Sequence, residues 1–326
     1  MVEVSGVGNW RLTVRREAGG VALLRAVTCD QEAVLPDALF GLPVVALGDR
    51  AMAPEDGRLS PEGEAVRVTC GTGAGEWDNR RMESLTLPPP LERVGNYALL
   101  NCTGLKTLRF HDNVSSWGGG ALMNCRSLYA FHLTRTGPDQ GPGLAYLAGE
   151  LCRELDVTIR GHDGTAARLL FPEYVEVYEE NISAHHFDYS IAGAGYPYHH
   201  CFRQKRLRLN EYDALWPGYL AMEHEAETAL RLAWLRLRHP VELSEGAEAA
   251  YLRYIQTHLG QALNRLAARG DGEGLHFLLR RTSPDRAALS EACARAREAG
   301  ASAALALLLE EQHRRFPAGA AKRFAL

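Results

Sequence analysis

The side chains best suited to metal or nucleophilic chemistry fall in the middle of the chain, at His185-His186 and, fourteen residues on, at His199-His200-Cys201. Zinc takes four nitrogen or sulfur ligands in a tetrahedron, and sequence neighbours on a strand point to opposite faces. Each histidine pair could therefore lend one imidazole, with Cys201 adding a thiolate. That supplies two or three ligands and leaves the site open. A metal-dependent hydrolase or metal sensor centred on residues 171–219 is one reading of this segment. Cys201 beside a histidine could also act as a nucleophile, but no orienting third residue or oxyanion motif accompanies it. Glu173, Glu176 and Glu180 share a face if the segment is helical, giving a solvated surface or a pair of acid and base carboxylates. Gly71-Thr-Gly-Ala-Gly75 suggests a phosphate loop, yet position 76 is Glu where a dinucleotide fold needs glycine, and no Gly-Lys-Ser/Thr follows. A surface loop is the simpler expectation there. None of these groups completes a catalytic set, so no catalytic residue, metal or cofactor is assigned.

Around these residues the chain repeats itself. Met82-x-x-Leu85-x-Leu87 returns as Leu105-x-x-Leu108-x-Phe110 and as Leu128-x-x-Phe131-x-Leu133, each step being 23 residues. Gly95 returns as Gly118, Ala98-Leu99 as Ala121-Leu122, and Asn101-Cys102 as Asn124-Cys125. A fixed step of this size marks stacked supersecondary units, because one unit cannot bury its apolar side alone. In such a stack the Leu and Phe of one strand lie over those of the next. The alternate side chains Ser84, Thr86, Thr107, Arg109, Ala130 and His132 then point out from the other face. Thr86, Thr107, Arg109 and His132 are the candidate protein-binding residues of that surface.

The pattern L-x-x-L-x-L-P, then V-x-x-[VL]-G-x-x-A-[LFM]-x-N-C, resembles the BspA-type bacterial leucine-rich repeats. Its clearest copy runs from Met82-Glu-Ser-Leu-Thr-Leu-Pro88 through Val94-Gly-Asn-Tyr-Ala-Leu-Leu-Asn-Cys102. The next copy has Trp117 in front of its glycine and three glycines, Gly118-Gly119-Gly120, in a row. The resemblance covers about residues 30–160 and implies a β-solenoid. The family includes surface adhesins and internal proteins alike, so it implies binding and no particular chemistry.

A chain of 326 residues with 46% hydrophobic and 23% charged residues has the makeup of an ordinary globular protein of two domains. Its net charge of −4 gives no electrostatic case for nucleic acid or an acidic membrane. Lysine occurs only at Lys106, Lys205 and Lys322, and the surplus of arginine is read as codon usage rather than phosphate recognition. The opening residues, Met1 to Trp10, carry neither a basic head nor a long apolar core, which leads us to expect no secretory signal and a cytoplasmic location. No run reaches the ~18–20 apolar residues of a membrane span. The seven cysteines are odd in number and form no C-x-x-C, so disulfides are not expected. The third reading, an extracellular adhesin, rests on the family resemblance alone.

Ahead of the repeats, Trp10–Val14 and Val21–Val27 read as a hairpin around Gly19-Gly20, suited to cap a solenoid. Val34-Leu-Pro36 with Val45–Met52 reads as a first repeat, and a degenerate repeat is expected over 53–81, with Val66–Cys70 as its strand. Behind them, Leu144, Leu147 and Leu151 fit a short helix, and Leu155–Ile159 a closing rung, with a boundary near Gly161-His-Asp-Gly164. The aromatic residues between 165 and 219 would pack a junction or form an exposed binding site.

From 221 on the period becomes helical. Ala226 to Leu237 make one helix, and Ser244 caps a second whose stripe runs from Tyr251 through His258 to Leu266, His258 being a core residue. Ser283-Pro284 opens a further helix that Gly300 stops. Gly270 returns as Gly300 and Leu278-Leu279 as Leu308-Leu309 at thirty residues, which looks like the helix pairs of ankyrin repeats.

The expected fold is thus α+β: a leucine-rich-repeat β-solenoid with an N-terminal hairpin cap over 1–160, an aromatic-rich junction over 161–220, and an all-helical, repeat-like domain over 221–326. The expected function is an intracellular scaffold or adaptor without catalytic activity, binding one or more proteins but not nucleic acid or membrane.

Overall fold

An alternating strand buries one file of side chains and exposes the other, and in the computed structural model each repeated phrase does this in turn. The structure describes residues 2–54, 61–70, 75–137, 141–181 and 186–317. Strands β1 (Val2–Ser5), β2 (Trp10–Glu17), β3 (Gly20–Thr28), β4 (Glu32–Val34), β5 (Ala38–Leu39), β6 (Leu42–Leu47) and β7 (Glu64–Thr69) come first. The repeats supply β8 (Ser84–Thr86), β9 (Arg93–Val94), β10 (Thr107–His111), β11 (Ser116–Trp117) and β12 (Ala130–Thr134), followed by helix α1 (Gly143–Gly149), β13 (Leu155–Arg160) and β14 (Ala166–Phe171). Next are β15 (Val175–Asn181), β16 (His186–Ala192), α2 (Tyr196–His199), β17 (Phe202–Arg203), β18 (Arg206–Leu207), α3 (Leu209–Ala214) and α4 (Trp216–Ala221). Helices α5 (Ala226–Arg238), α6 (Glu245–Thr257), α7 (Leu259–Ala268), α8 (Gly272–Arg281), α9 (Arg286–Glu298) and α10 (Ser302–Arg315) complete the order. The chain divides into two compact units, Met1–His224 with Val241–Leu243, and Glu225–Pro240 with Ser244–Leu326.

In the first unit β4, β8, β10, β12 and β13 lie parallel and side by side, one from each coil, and β14 closes the sheet antiparallel to β13. Ala33, Leu85, Leu108, Phe131, Val157 and Leu169 pair in register across all six strands and are buried, so a single apolar file runs the length of the sheet. The opposite sheet stacks β6, β9 and β11 in parallel, and the antiparallel hairpin β2–β3 extends it through β3, as an end cap must. Trp10 is fully buried, and its indole N–H donates to the Val34 carbonyl (2.8 Å), fastening the cap to the first coil.

The corners of the coils explain the conserved spacing of the small and polar residues within this chain. Gly95 N donates to Leu47 O (2.9 Å) and Gly118 N to Val94 O (2.8 Å), stacking Gly48, Gly95 and Gly118 in one file. Asn101 and Asn124 sit at φ +61° and +62°, a region that asparagine tolerates better than most residues. Cys102 Sγ and Cys125 Sγ each donate to a carbonyl of the preceding coil, Met52 O (3.5 Å) and Leu99 O (3.2 Å). The second repeat is regular despite its extra glycines: Trp117 pairs with Val94 and meets Phe110 edge to face at 5.6 Å.

The structure overturns the expected degenerate repeat over 53–81. β4 pairs directly with β8, Val34 opposite Thr86, so no coil lies between them. β7 leaves the solenoid and enters the capping sheet, antiparallel to β2 and parallel to β1. The extra residues between Gly48 and Gly95 are an excursion, and the chain rejoins the coil at Asn79, 23 residues before Cys102. The glycine-rich stretch 71–74 lies outside the described residues. At the other end, Leu155–Arg160 is the last parallel rung, as expected, and the sheet goes on past it by one antiparallel strand. Gly161-His-Asp-Gly164 is the tight turn into β14, with Gly164 at φ +84°.

In the second unit α7 packs on α9 and α8 on α10, so two helix pairs stack at the thirty-residue step. Gly270 (φ +66°) and Gly300 (φ +68°) end the first helix of each pair, and Asp271 N and Ala301 N donate back to Leu266 O (3.0 Å) and Ala296 O (2.8 Å). Three local expectations are corrected. Asp285, rather than Ser283, caps α9 by accepting from Ala288 N (2.8 Å). The stripe from Tyr251 to Leu266 is broken into α6 and α7. His258 is the half-buried hinge between them, its Nδ1 3.0 Å from Tyr254 O. Ser244 does cap α6, through Ala247 N at 3.2 Å.

Candidate protein-binding face

The pleat that buries Leu85, Leu108 and Phe131 turns their neighbours outward. Val34, Thr86, Arg109, His132, Thr158 and Arg168 therefore form one file across the sheet, and Ser84, Thr107, Ala130 and Asp156 form part of the next. Arg109 lies directly between Thr86 and His132 in register, and Thr107 lies between Ser84 and Ala130. The four residues singled out from the sequence thus share one surface. Arg109 is exposed, and Thr86, Thr107 and His132 are half-buried. Tyr212 walls the far end: its hydroxyl donates to Leu170 O (2.6 Å) and accepts from Leu170 N (3.2 Å).

Cations dominate the centre of this face. Arg109 donates to Ser84 Oγ, and Arg168 pairs with Asp156 through contacts of 3.0 and 3.2 Å. His132 is held below the usual imidazole value, first by burial and then by Arg109, with Arg160 and Arg168 adding to it against the opposing pull of Asp156. An uncharged ring flanked by guanidinium groups is an arrangement that an incoming carboxylate satisfies. Arg160 and Arg168 escaped the sequence reading because β13 follows β12 at 26 residues rather than 23, Thr134 lying opposite Arg160, and β14 is an antiparallel addition.

No family model matches the chain, and no curated protein matches it. Two solved structures resemble parts of it. One is a leucine rich cell surface protein from Faecalibacterium prausnitzii A2-165, 16% identical, aligned over 42% of this chain and 33% of that one with a TM-score of 0.26. The other is the Leucine Rich Repeat protein of T. pallidum, 20% identical over 37% of this chain and 68% of that one, with a TM-score of 0.20. The chain therefore spans about a third of the length of the first of these. The first unit is a β-solenoid of the leucine-rich-repeat kind. Its definition lies in the strand register of this chain.

Among the described residues of the middle segment, the groups that could do chemistry do not form a site, and the side chain of His186 lies outside them. His199 is fully buried, with Nδ1 2.9 Å from Ala148 O and Nε2 3.0 Å from Pro172 O, so both ring nitrogens face carbonyls and neither faces an open site. Cys201 Sγ donates to Tyr198 O (3.0 Å), and burial pushes its thiol up to about 12, far from a reactive thiolate. His185 lies outside the described residues. Among the described residues no three of His, Cys, Asp and Glu lie close enough to share a metal ion. The helical face expected for Glu173, Glu176 and Glu180 does not exist, because Val175–Asn181 is a strand that Glu173 precedes. Among the described aromatic residues Tyr196 and Phe202 are half-buried and the rest fall into two groups. Phe171, Tyr174, Tyr198, Tyr212, Trp216 and Tyr219 are buried behind β14, whereas Tyr178 and Tyr189 stand out in solvent. Among the described residues no helix is long and apolar enough to cross a membrane.

Four imidazoles, of which His199 alone is fully buried, give the stability a pH dependence. His111, His132, His199 and His200 are all held below the usual value, with burial the largest cause in each. The folded chain therefore binds fewer protons than the unfolded one as the pH drops below about 6.5, and stability falls in that direction. The thermal midpoint should be lower at about pH 5 than at about pH 7.5, and the drop should shrink in His132→Gln, where burial and Arg109 act in the same direction. Glu150, raised by burial, acts in the opposite direction. A midpoint that rises on acidification would contradict the assignment.

Proposed function

We propose that this protein is an intracellular, non-catalytic scaffold or adaptor that binds one or more proteins through the outward file Thr86, Arg109, His132 and Thr158 of its solenoid. The observation that carries this is the continuity of that file across consecutive coils, partly open to solvent and centred on the exposed Arg109. A surface assembled by repetition offers many graded contacts and no enclosed volume for a substrate, which suits recognition of another macromolecule. The BspA-type resemblance of the repeats and the ankyrin-like step of the helix pairs support the same reading, since both build surfaces from stacked units. A cytoplasmic location belongs to this proposal.

Pull-down from a native lysate of the source organism tests it. Arg109→Glu with His132→Glu should remove partners that the unaltered protein retains, because reversal of charge at the centre of the face repels what the guanidinium groups attract. Both side chains are at least partly solvated, so the variant should keep its unfolding midpoint. Identical partner lists from the two proteins would remove the strand face from the account.

A further inference from the structure

Hairpin β15–β16 stands apart from the rest of the first unit. It forms a two-stranded sheet of its own, and neither strand pairs with any other described strand. Its register runs from Val175 opposite Ala192 to Asn181 opposite His186 without a bulge, and no proline, glycine or lysine interrupts either strand. Bulges, prolines and lysines are usual means of blunting a strand edge, and here only negative charges stand in their place. An isolated hairpin is at best marginally stable in water and tends to be retained where it packs against something. This one buries little of itself: Tyr178 is 68% exposed, Tyr189 51% and Val175 51%. The two tyrosines pair across the strands at 4.9 Å between ring centres.

The base of the hairpin, in contrast, is fixed. Tyr174 is buried, its N–H donates to Cys152 O (2.8 Å), and its ring meets His199 edge to face at 5.1 Å. His199 in turn faces Ala148 O of the last coil and Pro172 O of the incoming leg. A Cβ on Gly195 would collide with the Pro172 carbonyl, so the two legs cross as closely as backbones can. The arm is therefore presented by a rigid mount.

Its charge selects the occupant. Between Arg168 and Arg203 the chain carries five carboxylates, at Glu173, Glu176, Glu179, Glu180 and Asp188, and no lysine or arginine. A second copy of the hairpin would bring carboxylates against carboxylates, which is unfavourable. A cationic strand would not. We propose that β15–β16 is a docking arm that takes a basic, extended segment of a partner protein as an added strand. The segment's main chain pairs with an open edge, its cationic side chains meet Glu179 on one face of the hairpin, and its apolar ones cover Tyr178 and Tyr189 on the other, the face that Glu176 shares. This is a second surface, independent of the solenoid face.

Hydrogen exchange on the full-length protein tests it with three synthetic peptides: one alternating lysine and valine, one alternating glutamate and valine, and the first with proline at every third position. The proline peptide keeps the charge but cannot pair continuously. The lysine–valine peptide alone should slow exchange of outer-edge amides in 175–181 or 186–192, by about tenfold. Glu179→Lys should move the protection from the lysine–valine peptide towards the glutamate peptide. No protection of the arm, equal protection by the proline peptide, or protection confined to the solenoid face would each overturn the proposal. So would concentration-dependent dimerisation abolished by the charge-reversed arm, which would make the occupant a second copy.

Discussion

Gly95→Ala is expected to cost about 3 kcal/mol of stability, an overpacking error with no slack to absorb it. Gly95 sits between Gly48 of one coil and Gly118 of the next. A Cβ built on it lies 2.5 Å from both Gly48 C and Asp49 N, and those are backbone atoms that cannot swing aside. Relief requires the coils to part, which would break the bonds from Gly95 N to Leu47 O and from Gly118 N to Val94 O. Gly119→Ala is the matched control. Its Cβ would find only Asn96 Oδ1, at 3.9 Å, and it should stay within about 0.5 kcal/mol of the unaltered protein. Urea unfolding midpoints compare the two, with an unchanged slope showing that the effect is on stability. Equal midpoints would mean that the glycine file is not in contact.

Asn79→Leu should cost on the order of 3–5 kcal/mol, because it strands three buried backbone groups at about 1–3 kcal/mol each before relaxation. Asn79 is 1% exposed. Its Nδ2 donates to Ala26 O (2.9 Å) and Met52 O (2.7 Å), and its Oδ1 accepts from Thr28 N (3.0 Å). It thereby joins the capping hairpin, the first coil and the returning excursion in one residue. The position is equivalent to Cys102 and Cys125, 23 residues apart, whose thiols donate to a single carbonyl each. Asn79→Cys should accordingly be milder than Asn79→Leu in thermal unfolding. If Asn79→Leu matches the unaltered protein, the hydrogen bonds at this junction are not what closes the excursion.

Asn79 also marks where reading from sequence succeeds and where it stops. The file Leu85, Leu108 and Phe131 was legible because a repeat imposes the same burial on the same position in every coil. The outward neighbours Thr86, Arg109 and His132 followed from the pleat alone. The excursion was not legible as such: Val66-Arg-Val-Thr alternates like any half-buried strand, and nothing in alternation says that its partner is β2 rather than another coil. The signal that could have found it was present, since Asn79 lies one step before Cys102.

Local chemistry misled in two other places. Glu173, Glu176 and Glu180 have helical spacing, but Val175, Val177 and Tyr178 between them favour a strand, and the cross-strand partners in β16 decide the outcome. The apolar stripe through His258 continues across a helix break, because two helices packing on one core can share a stripe. Arg160 and Arg168 join the outward face of the sheet only through β13 and the antiparallel β14, a closure no repeat encodes.

The central claim is that partners meet this protein on the outward file of the parallel sheet. Photo-crosslinking from single positions tests it directly: a benzophenone side chain at Thr107, on the face, is compared with one at Met123, which is 54% exposed at a coil corner and outside the file. Crosslinked partner in the source cells from position 107 and none from position 123 is the predicted result. Equal yields from both, or adducts from position 123 alone, would contradict it.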